Sequence, residues 1–205
     1  MPAALFVDAG YINKLWMALN RTDYLDYLKL REHLEATYCN PAAGDRILEA
    51  YYFTAKLDPG NDRMDAYLNA LSYPPPVGPG FRVKVEWCVK EPLFWPKSLG
   101  GAPVLHPSTG EQYELIRQKA VDVSLAFHLI LSHTTRQWTK LFLATGDGDF
   151  KTPIQYLVEY KGVELVLIGN LQTISEQIRP YACEIIRLDE VAEQFARPRP
   201  QSGKG

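Results

Sequence analysis

Apolar residues along the chain occur in short runs that alternate with longer stretches of helical periodicity. A short apolar run bounded by turn residues is typical of a buried strand, whereas apolar positions three and four residues apart are typical of a helix. The predicted strands are residues 4–7, 46–54, 81–89, 141–144, 163–168 and 184–187. The predicted helices are residues 12–19, 28–38, 61–73, 121–131, 149–160 and 189–195. Because strands and helices alternate, we expect an α/β fold with a parallel sheet and helices on both faces.

The same pattern predicts a single domain over residues 1–195. Residues 74–117 are predicted to be an insertion, because segment 90–117 is rich in proline and glycine, which favours a long loop or a hairpin. The final segment, 196–205, is predicted to be a flexible tail. The helix at 121–131 is apolar around most of its circumference, so we expect it to be buried.

Composition and charge narrow the class of protein. The formal net charge is −2, so a nucleic-acid partner must be inferred from local features rather than from the charge of the whole chain. Cys39, Cys88 and Cys183 are far apart and show no metal-binding or disulfide spacing, which suits a reducing compartment. The N-terminus does not resemble a signal peptide, and no apolar run reaches the length of a membrane span. We therefore expect a cytoplasmic protein without a membrane partner.

Aspartates follow two of the predicted strands. Asp8 closes the first strand, and Asp147 and Asp149 lie in the turn TGDGDF after strand 141–144. In open α/β sheets ligands bind outside the carboxyl ends of the strands, so these side chains are candidate ligands or catalytic groups. An aspartate at a strand end is also a common helix cap, and Asp149 is a candidate N-cap of the following helix. Both interpretations can hold together.

Asp122 needs a separate explanation, because it lies in the first turn of the apolar helix. A carboxylate on a buried helix is costly unless it is paired or coordinates a metal ion. Lys119, three residues earlier, is the available local partner. A structural Lys119–Asp122 pair and a functional carboxylate therefore both remain open.

Four carboxylates in one pocket would require a cation. Two carboxylates ~4 Å apart repel each other by about 4 kcal/mol at an effective dielectric constant of 20. A hard divalent ion with oxygen ligands relieves this repulsion, and Mg²⁺ or Mn²⁺ suits a few carboxylates together with retained water. Such an ion lowers the pKa of a bound water and offsets charge on a phosphodiester transition state.

Three blocks of sequence resemble the signature blocks of NYN-domain proteins. They are FVDAGY at 6–11, KAVDV at 119–123 and ATGDGDF at 144–150, in the order of that family. The resemblance extends from residue 3 to about residue 188 and implies a Rossmann-like, PIN-like fold and a metal-dependent nuclease that acts on RNA. Tyr11 departs from the pattern, since many members have asparagine there and Asn13 is the nearest amide. Ala120 stands where glycine is usual.

The resemblance also implies roles for individual residues. The acidic positions of the family, which would be both catalytic residues and ligands of Mg²⁺ or Mn²⁺, are matched by Asp8, Asp122, Asp147 and Asp149. Thr145 matches its small hydroxyl residue and would orient a carboxylate or a substrate phosphate. We assign substrate binding to Asn13, Thr145, Lys119, Lys90, Lys97 and Arg117.

Basic residues within 87–117 are interleaved with the aromatic residues Trp87, Phe94 and Trp95. This mixture is typical of a surface that binds single-stranded or structured RNA through phosphate contacts and base stacking. It is equally consistent with an ordinary solvated surface or with a homodimer contact.

Two other function classes compete with a ribonuclease. A phosphatase of the haloacid-dehalogenase type also begins with a strand that ends in Asp, but its chemistry needs a second Asp two residues later, where this chain has Gly10. A binding module that holds RNA or a protein with a structural metal and no turnover is compatible with all the motifs above.

Overall fold

The computed structural model describes residues 1–57 and 61–198. The strands of its main sheet are β1 (Ala3–Asp8), β3 (Ile47–Lys56), β4 (Arg82–Pro92), β5 (Glu114–Gln118), β6 (Lys140–Ala144), β7 (Glu164–Gly169) and β8 (Ala182–Arg187). A separate ribbon pairs β2 (Tyr24–Leu25) with β9 (Ala196–Arg197). The helices are α1 (Ala9–Ala18), α2 (Tyr27–Tyr38), α3 (Asp62–Ser72), α4 (Val121–Arg136), α5 (Lys151–Gln155) and α6 (Leu188–Val191). Across the described residues the main sheet has seven strands in the order β5-β4-β3-β1-β6-β7-β8.

All neighbouring strands of this sheet are parallel except β4 and β5, which form an antiparallel pair. Alternate side chains of β1 enter two separate cores: Leu5 and Val7 pack with α1, α2 and α3, whereas Phe6 packs with α4 and α5. The predicted α/β fold with helices on both faces is confirmed. No described helix is long and apolar enough to cross a membrane.

Helix α4 is not buried all round, and that prediction was wrong. Leu125 and Leu129 are fully buried against the sheet, but Val123 is 72% and Phe127 61% exposed. The helix lies on the outside of the sheet, so only the stripe that faces the strands is covered. Asp122 is an exposed residue on this helix, and the cost of burying its charge was therefore overestimated.

Much of the predicted insertion at 74–117 belongs to an ordered extension of the sheet. Asp8 pairs in register with Phe53, and Phe53 with Lys84. Lys84 is thus level with Asp8, where β1 ends. From Lys84, β4 continues to Pro92, which at ~3.3 Å per residue places the end of β4 about 26 Å beyond the end of β1. Backbone hydrogen bonds between residues 93–95, 102–106 and 111–113 fold the outer part onto itself. We refer to residues 87–118 as the arm.

The predicted flexible tail at 196–205 is corrected at its beginning. Phe195 is buried in the core and its carbonyl accepts the backbone N–H of Asp26, so the next two residues are held in register with β2. Residues 199–205 lie outside the described residues.

Candidate active site

Asp8 lies at the carboxyl end of β1, in the middle of the sheet, and α1 begins at the next residue. Its Oδ1 accepts the backbone N–H of Tyr11 at 3.1 Å, so Asp8 is the N-cap of α1. Its Oδ2 accepts a hydrogen bond from the Thr145 hydroxyl at 3.2 Å. Burial raises the pKa of Asp8 above its usual range against the effect of these bonds, and the nearby Asp147 carboxylate raises it further. The Asp8 carboxylate therefore caps α1, and its ionised form is destabilised by its surroundings.

Thr145 joins the two strand-end aspartates through one buried hydroxyl. While that hydroxyl donates to Asp8, it accepts the backbone N–H of Asp147 at 3.3 Å. Asp147 Oδ1 in turn accepts the N–H of Asp149 at 2.9 Å, which makes Asp147 the N-cap of the short 3₁₀ turn that follows, where Asp149 was the predicted cap. Thr145 is fully buried, so it can orient carboxylates but cannot reach a substrate phosphate.

A cavity of about 360 Å³ opens at this edge of the sheet. Its walls are formed by Asp8, Gly10, Tyr11, Lys14, Gln118, Asp122, Gly146, Asp147 and Thr173. Three of the four predicted acidic residues thus line one cavity. Although Asp122 is exposed on its outer side, partial burial against the cavity raises its pKa, and the charges of Asp8, Asp147 and Asp149 raise it further. Asp149 does not line the cavity, but it is close enough for its charge to raise the pKa of Asp122.

Most of the residues that were assigned to substrate binding lie elsewhere. Asn13 interacts with the Tyr52 hydroxyl and does not line the cavity. Lys119 pairs with Glu91 at 2.6 Å rather than with Asp122. Lys90 pairs with Glu114, Arg117 pairs with Glu91, and Lys97 is exposed on the arm. None of these side chains lines the cavity.

A family model for the NYN domain matches residues 2–189, which is nearly the whole chain. This chain belongs to the NYN family. The NYN domain is a domain of the PIN-like nuclease superfamily, in agreement with the resemblance of the three sequence blocks.

A solved structure supports the fold assignment of this NYN domain. The crystal structure of a protein of unknown function from Vibrio parahaemolyticus superimposes with a TM-score of 0.60 and covers 96% of each chain. Because the two sequences are 15% identical, the similarity shows the fold alone. No curated protein matched the chain.

Tyr11, the departure from the usual NYN pattern, forms part of the cavity wall. A Cβ atom at Gly146 would lie 2.5 Å from the Tyr11 ring, and one at Gly169 would lie 2.2 Å from its hydroxyl, so both positions need glycine. The Thr173 hydroxyl donates to the Asn170 carbonyl. The Tyr11 hydroxyl therefore donates to Thr173 at 2.8 Å and accepts the Asn170 N–H at 3.3 Å. It fixes the loop after β7 beside the acidic turn.

Lys14 and Gln118 also line the cavity of this NYN domain, and neither was predicted from the sequence. Because Asp8 caps α1 at Ala9, Tyr11 and Lys14 are three residues apart on one helical face, and that spacing is the signal that could have revealed them. Gln118 carried no such signal. It reaches the cavity because β5 returns from the arm to the sheet edge, where its amide lies beside Gly10.

The donor chemistry of the NYN cavity fits Mg²⁺ or Mn²⁺. Carboxylates offer hard oxygen ligands. The hydrogen bonds that Asp8 accepts from Tyr11, Thr145 and Gly10 do not use all of the roughly four acceptor sites of a carboxylate. Over residues 1–57 and 61–198, no three His, Cys, Asp or Glu side chains converge closely enough to enclose an ion. Mg²⁺ does not require such an enclosure, because it is commonly held by one or two carboxylates and several waters. Burial and the neighbouring carboxylates raise the pKa values of Asp8 and Asp122, and a bound cation would offset both effects.

Proposed function

We propose that this NYN domain hydrolyses RNA phosphodiester bonds and that the reaction requires aspartate-bound Mg²⁺ or Mn²⁺. The observation that carries this proposal is the placement of Asp8, Asp122 and Asp147 around one cavity at the carboxyl edge of the sheet. Membership in a nuclease superfamily supports it. Gly10 lines the same cavity, so the second aspartate that haloacid-dehalogenase chemistry needs is missing there.

The proposed roles follow from the contacts of each side chain. One or two of the carboxylates of Asp8, Asp122 and Asp147 would bind the ion directly, and the remaining one, with Asp149, would hold waters of its coordination shell or a second ion. When bound, the ion would lower the pKa of a water and stabilise negative charge on the phosphoryl group. Thr145 would keep the Asp8 carboxylate and the Asp147 backbone at a fixed separation through its two hydrogen bonds.

The arm is proposed to contact RNA that extends beyond the cavity. Lys90, Lys97 and Arg117 were expected to bind phosphates, but Lys90 and Arg117 already pair with glutamates. The arm is therefore proposed to contact RNA in a different way. The aromatic side chains Trp87, Phe94 and Trp95 are about half exposed and can stack on bases. The alternative is that the same side chains form a contact with a second copy of this chain.

We also propose a cytoplasmic location. Cys39, Cys88 and Cys183 are all free thiols in the structure, and free cysteines suit a reducing compartment.

The function is tested by Asp147→Asn. Asparagine caps helices as well as aspartate does, so its side-chain oxygen can still accept the Asp149 N–H and the turn should keep its shape. The negative charge that the ion needs is removed. We expect cleavage of labelled single-stranded RNA to fall at least ~100-fold, as for the loss of several kcal/mol of metal-dependent stabilisation. EDTA should abolish wild-type cleavage, and Mg²⁺ or Mn²⁺ should restore it.

Asp62→Asn is the matched control, because Asp62 is an exposed aspartate on α3 that does not line the cavity. It should cleave like the wild type. If Asp147→Asn cleaves RNA as fast as the wild type does, the proposed site is wrong. A wild type that cuts neither single-stranded nor structured RNA with either ion would leave the binding module as the function.

A further inference from the structure

Lys14 is a cation on the wall of the acidic cavity. It lies one turn of α1 beyond Tyr11, whose backbone N–H binds Asp8, and it shares the cavity with Asp8, Asp122 and Asp147. The side chain is exposed to solvent. Yet none of its carboxylate neighbours in the described part of the chain is close enough to form an ion pair with it.

The basic residues next to Gln118 in sequence form ion pairs outside the cavity. Lys119 and Arg117 both pair with Glu91, and these three side chains hold the base of the arm together. Neither basic side chain lines the cavity. The ammonium group of Lys14 is therefore the positive charge that the cavity wall, as described, offers to an incoming anion.

We propose that Lys14 binds a phosphate of the RNA strand as it lies across the carboxylates. The inference rests on the proposed function, which makes RNA the incoming anion. Because Lys14 forms no ion pair with the cavity aspartates, its ammonium group is available with or without a bound ion, and so also in Asp147→Asn. A lysine binds phosphate as a compact point charge on a flexible stem, so it does not need the rigid geometry of an arginine fork. Lys14 thus takes the role that the sequence had assigned to Asn13 and Lys119.

The test measures RNA binding as a function of salt concentration. Labelled single-stranded RNA is titrated with Asp147→Asn and with the Lys14→Gln/Asp147→Asn double variant, so that cleavage does not interfere. Each phosphate neutralised on a single strand contributes about 0.7 to the slope of log affinity against log salt concentration. We expect Lys14→Gln to make that slope shallower by about 0.7 and to weaken binding several-fold at low salt. Lys14→Arg should restore both, because it keeps the charge.

Lys29→Gln is the control variant. Lys29 is an exposed lysine on α2 outside the cavity wall, and its removal should leave the salt slope unchanged. In the wild-type background, Lys14→Gln should raise the KM for RNA more than it lowers kcat, as for a contact made equally in the ground state and the transition state.

A competing role for Lys14 is simple neutralisation of the carboxylates. In that case Lys14→Gln would bind Mn²⁺ more tightly, as measured by titration of the RNA-free protein, and the salt slope for RNA would not change. That outcome would overturn the proposal, and so would an unchanged slope with unchanged Mn²⁺ affinity. Because the slope is measured without cleavage, it remains informative about Lys14 if the wild type proves to have no nuclease activity.

Discussion

A single buried hydroxyl organises the acidic site at the residue scale. Thr145 donates to Asp8 and accepts from the backbone of Asp147, and its side chain has no exposed surface. Valine has the same shape but offers neither bond, whereas serine offers both. A small hydroxyl residue at this position can therefore hold two strand ends together, which requires no contact with the substrate.

Ala120 leads to a prediction about stability. This residue precedes α4 with a φ of +67°, in the left-handed region that favours glycine. The left-handed conformation costs an L-residue roughly 1–2 kcal/mol, and glycine avoids this cost but loses more conformational entropy on folding. We expect Ala120→Gly to raise the free energy of unfolding by up to about 1 kcal/mol in urea titrations.

Ala126→Gly serves as the comparison, because Ala126 lies inside the same helix and has ordinary helical geometry. Glycine there should lower the free energy of unfolding by about 1 kcal/mol. If both substitutions destabilise the protein equally, the backbone strain at Ala120 is negligible.

The acidic residues could be predicted from the sequence because the signal was local. A strand that ends in Asp places the carboxylate at the ligand-binding edge whenever the sheet is parallel, and this argument located Asp8 and Asp147 correctly. Lys14 can be inferred only once the start of α1 at Ala9 is known, because its three-residue spacing from Tyr11 then places both on one helical face. Gln118 depends on the register of two strands in the arm, which no local pattern encodes.

The arm leads to a prediction at the scale of elements. Phe94 and Trp95 are about half exposed on its outer part, beyond the ion pairs at its base. Stacking of a base on an aromatic side chain contributes about 1–3 kcal/mol. We expect Phe94→Ala/Trp95→Ala to raise the KM for long single-stranded RNA at least ~10-fold and to leave that for a dinucleotide unchanged. The rise should be similar at low and high salt, because stacking does not depend on charge.

Leu99→Ala/Leu105→Ala is the matched control on the same arm, since both leucines are exposed apolar residues without an aromatic ring. It should not change the KM for RNA. The arm would instead be a subunit contact under two conditions. The wild type would elute as a dimer and Phe94→Ala/Trp95→Ala as a monomer, and the two proteins would have the same KM for RNA. Charge reversal of Lys90 or Arg117 is a poor test, because each would then repel its glutamate partner within the arm.

Helix α4 and the arm show why some elements were predicted incompletely. The apolar outer face of α4 suggested burial, but burial depends on which elements cover a helix, and the described residues leave Phe127 uncovered. The prolines and glycines of 90–117 left a long loop and a hairpin open, and the antiparallel pairing of β4 with β5 decides for the hairpin. The burial of α4 and the choice between loop and hairpin both depend on tertiary context, which periodicity does not contain.

At the scale of the whole molecule, the acidic site should lower the stability of the metal-free protein. The pKa of Asp8 and that of Asp122 are raised, mainly by burial. A carboxyl group with a raised pKa stabilises the folded state below its unfolded pKa, and this contribution is lost as the pH rises through the folded pKa. The metal-free wild type should therefore lose stability relative to Asp8→Asn as the pH rises from about 4 towards neutrality.

The measurement is the difference in the free energy of unfolding between Asp8→Asn and the wild type, in EDTA, at several pH values. It should increase with pH and then reach a plateau. Saturating Mg²⁺ or Mn²⁺ should reduce or reverse the difference, because ion binding stabilises the folded wild type. A difference that does not vary with pH would show that the Asp8 carboxylate is not strained by its surroundings.

Only Lys119 and Ala120 separate the end of β5 from the start of α4, and Asp122 lies in the first turn of that helix. The arm and one wall of the acidic cavity are therefore parts of a continuous backbone with almost no slack between them. A tilt of the arm by a bound strand would displace Asp122 relative to Asp8, which is held independently by Thr145 and Tyr11. RNA and metal would then be thermodynamically linked ligands, and reciprocity requires each to change the affinity for the other by the same factor.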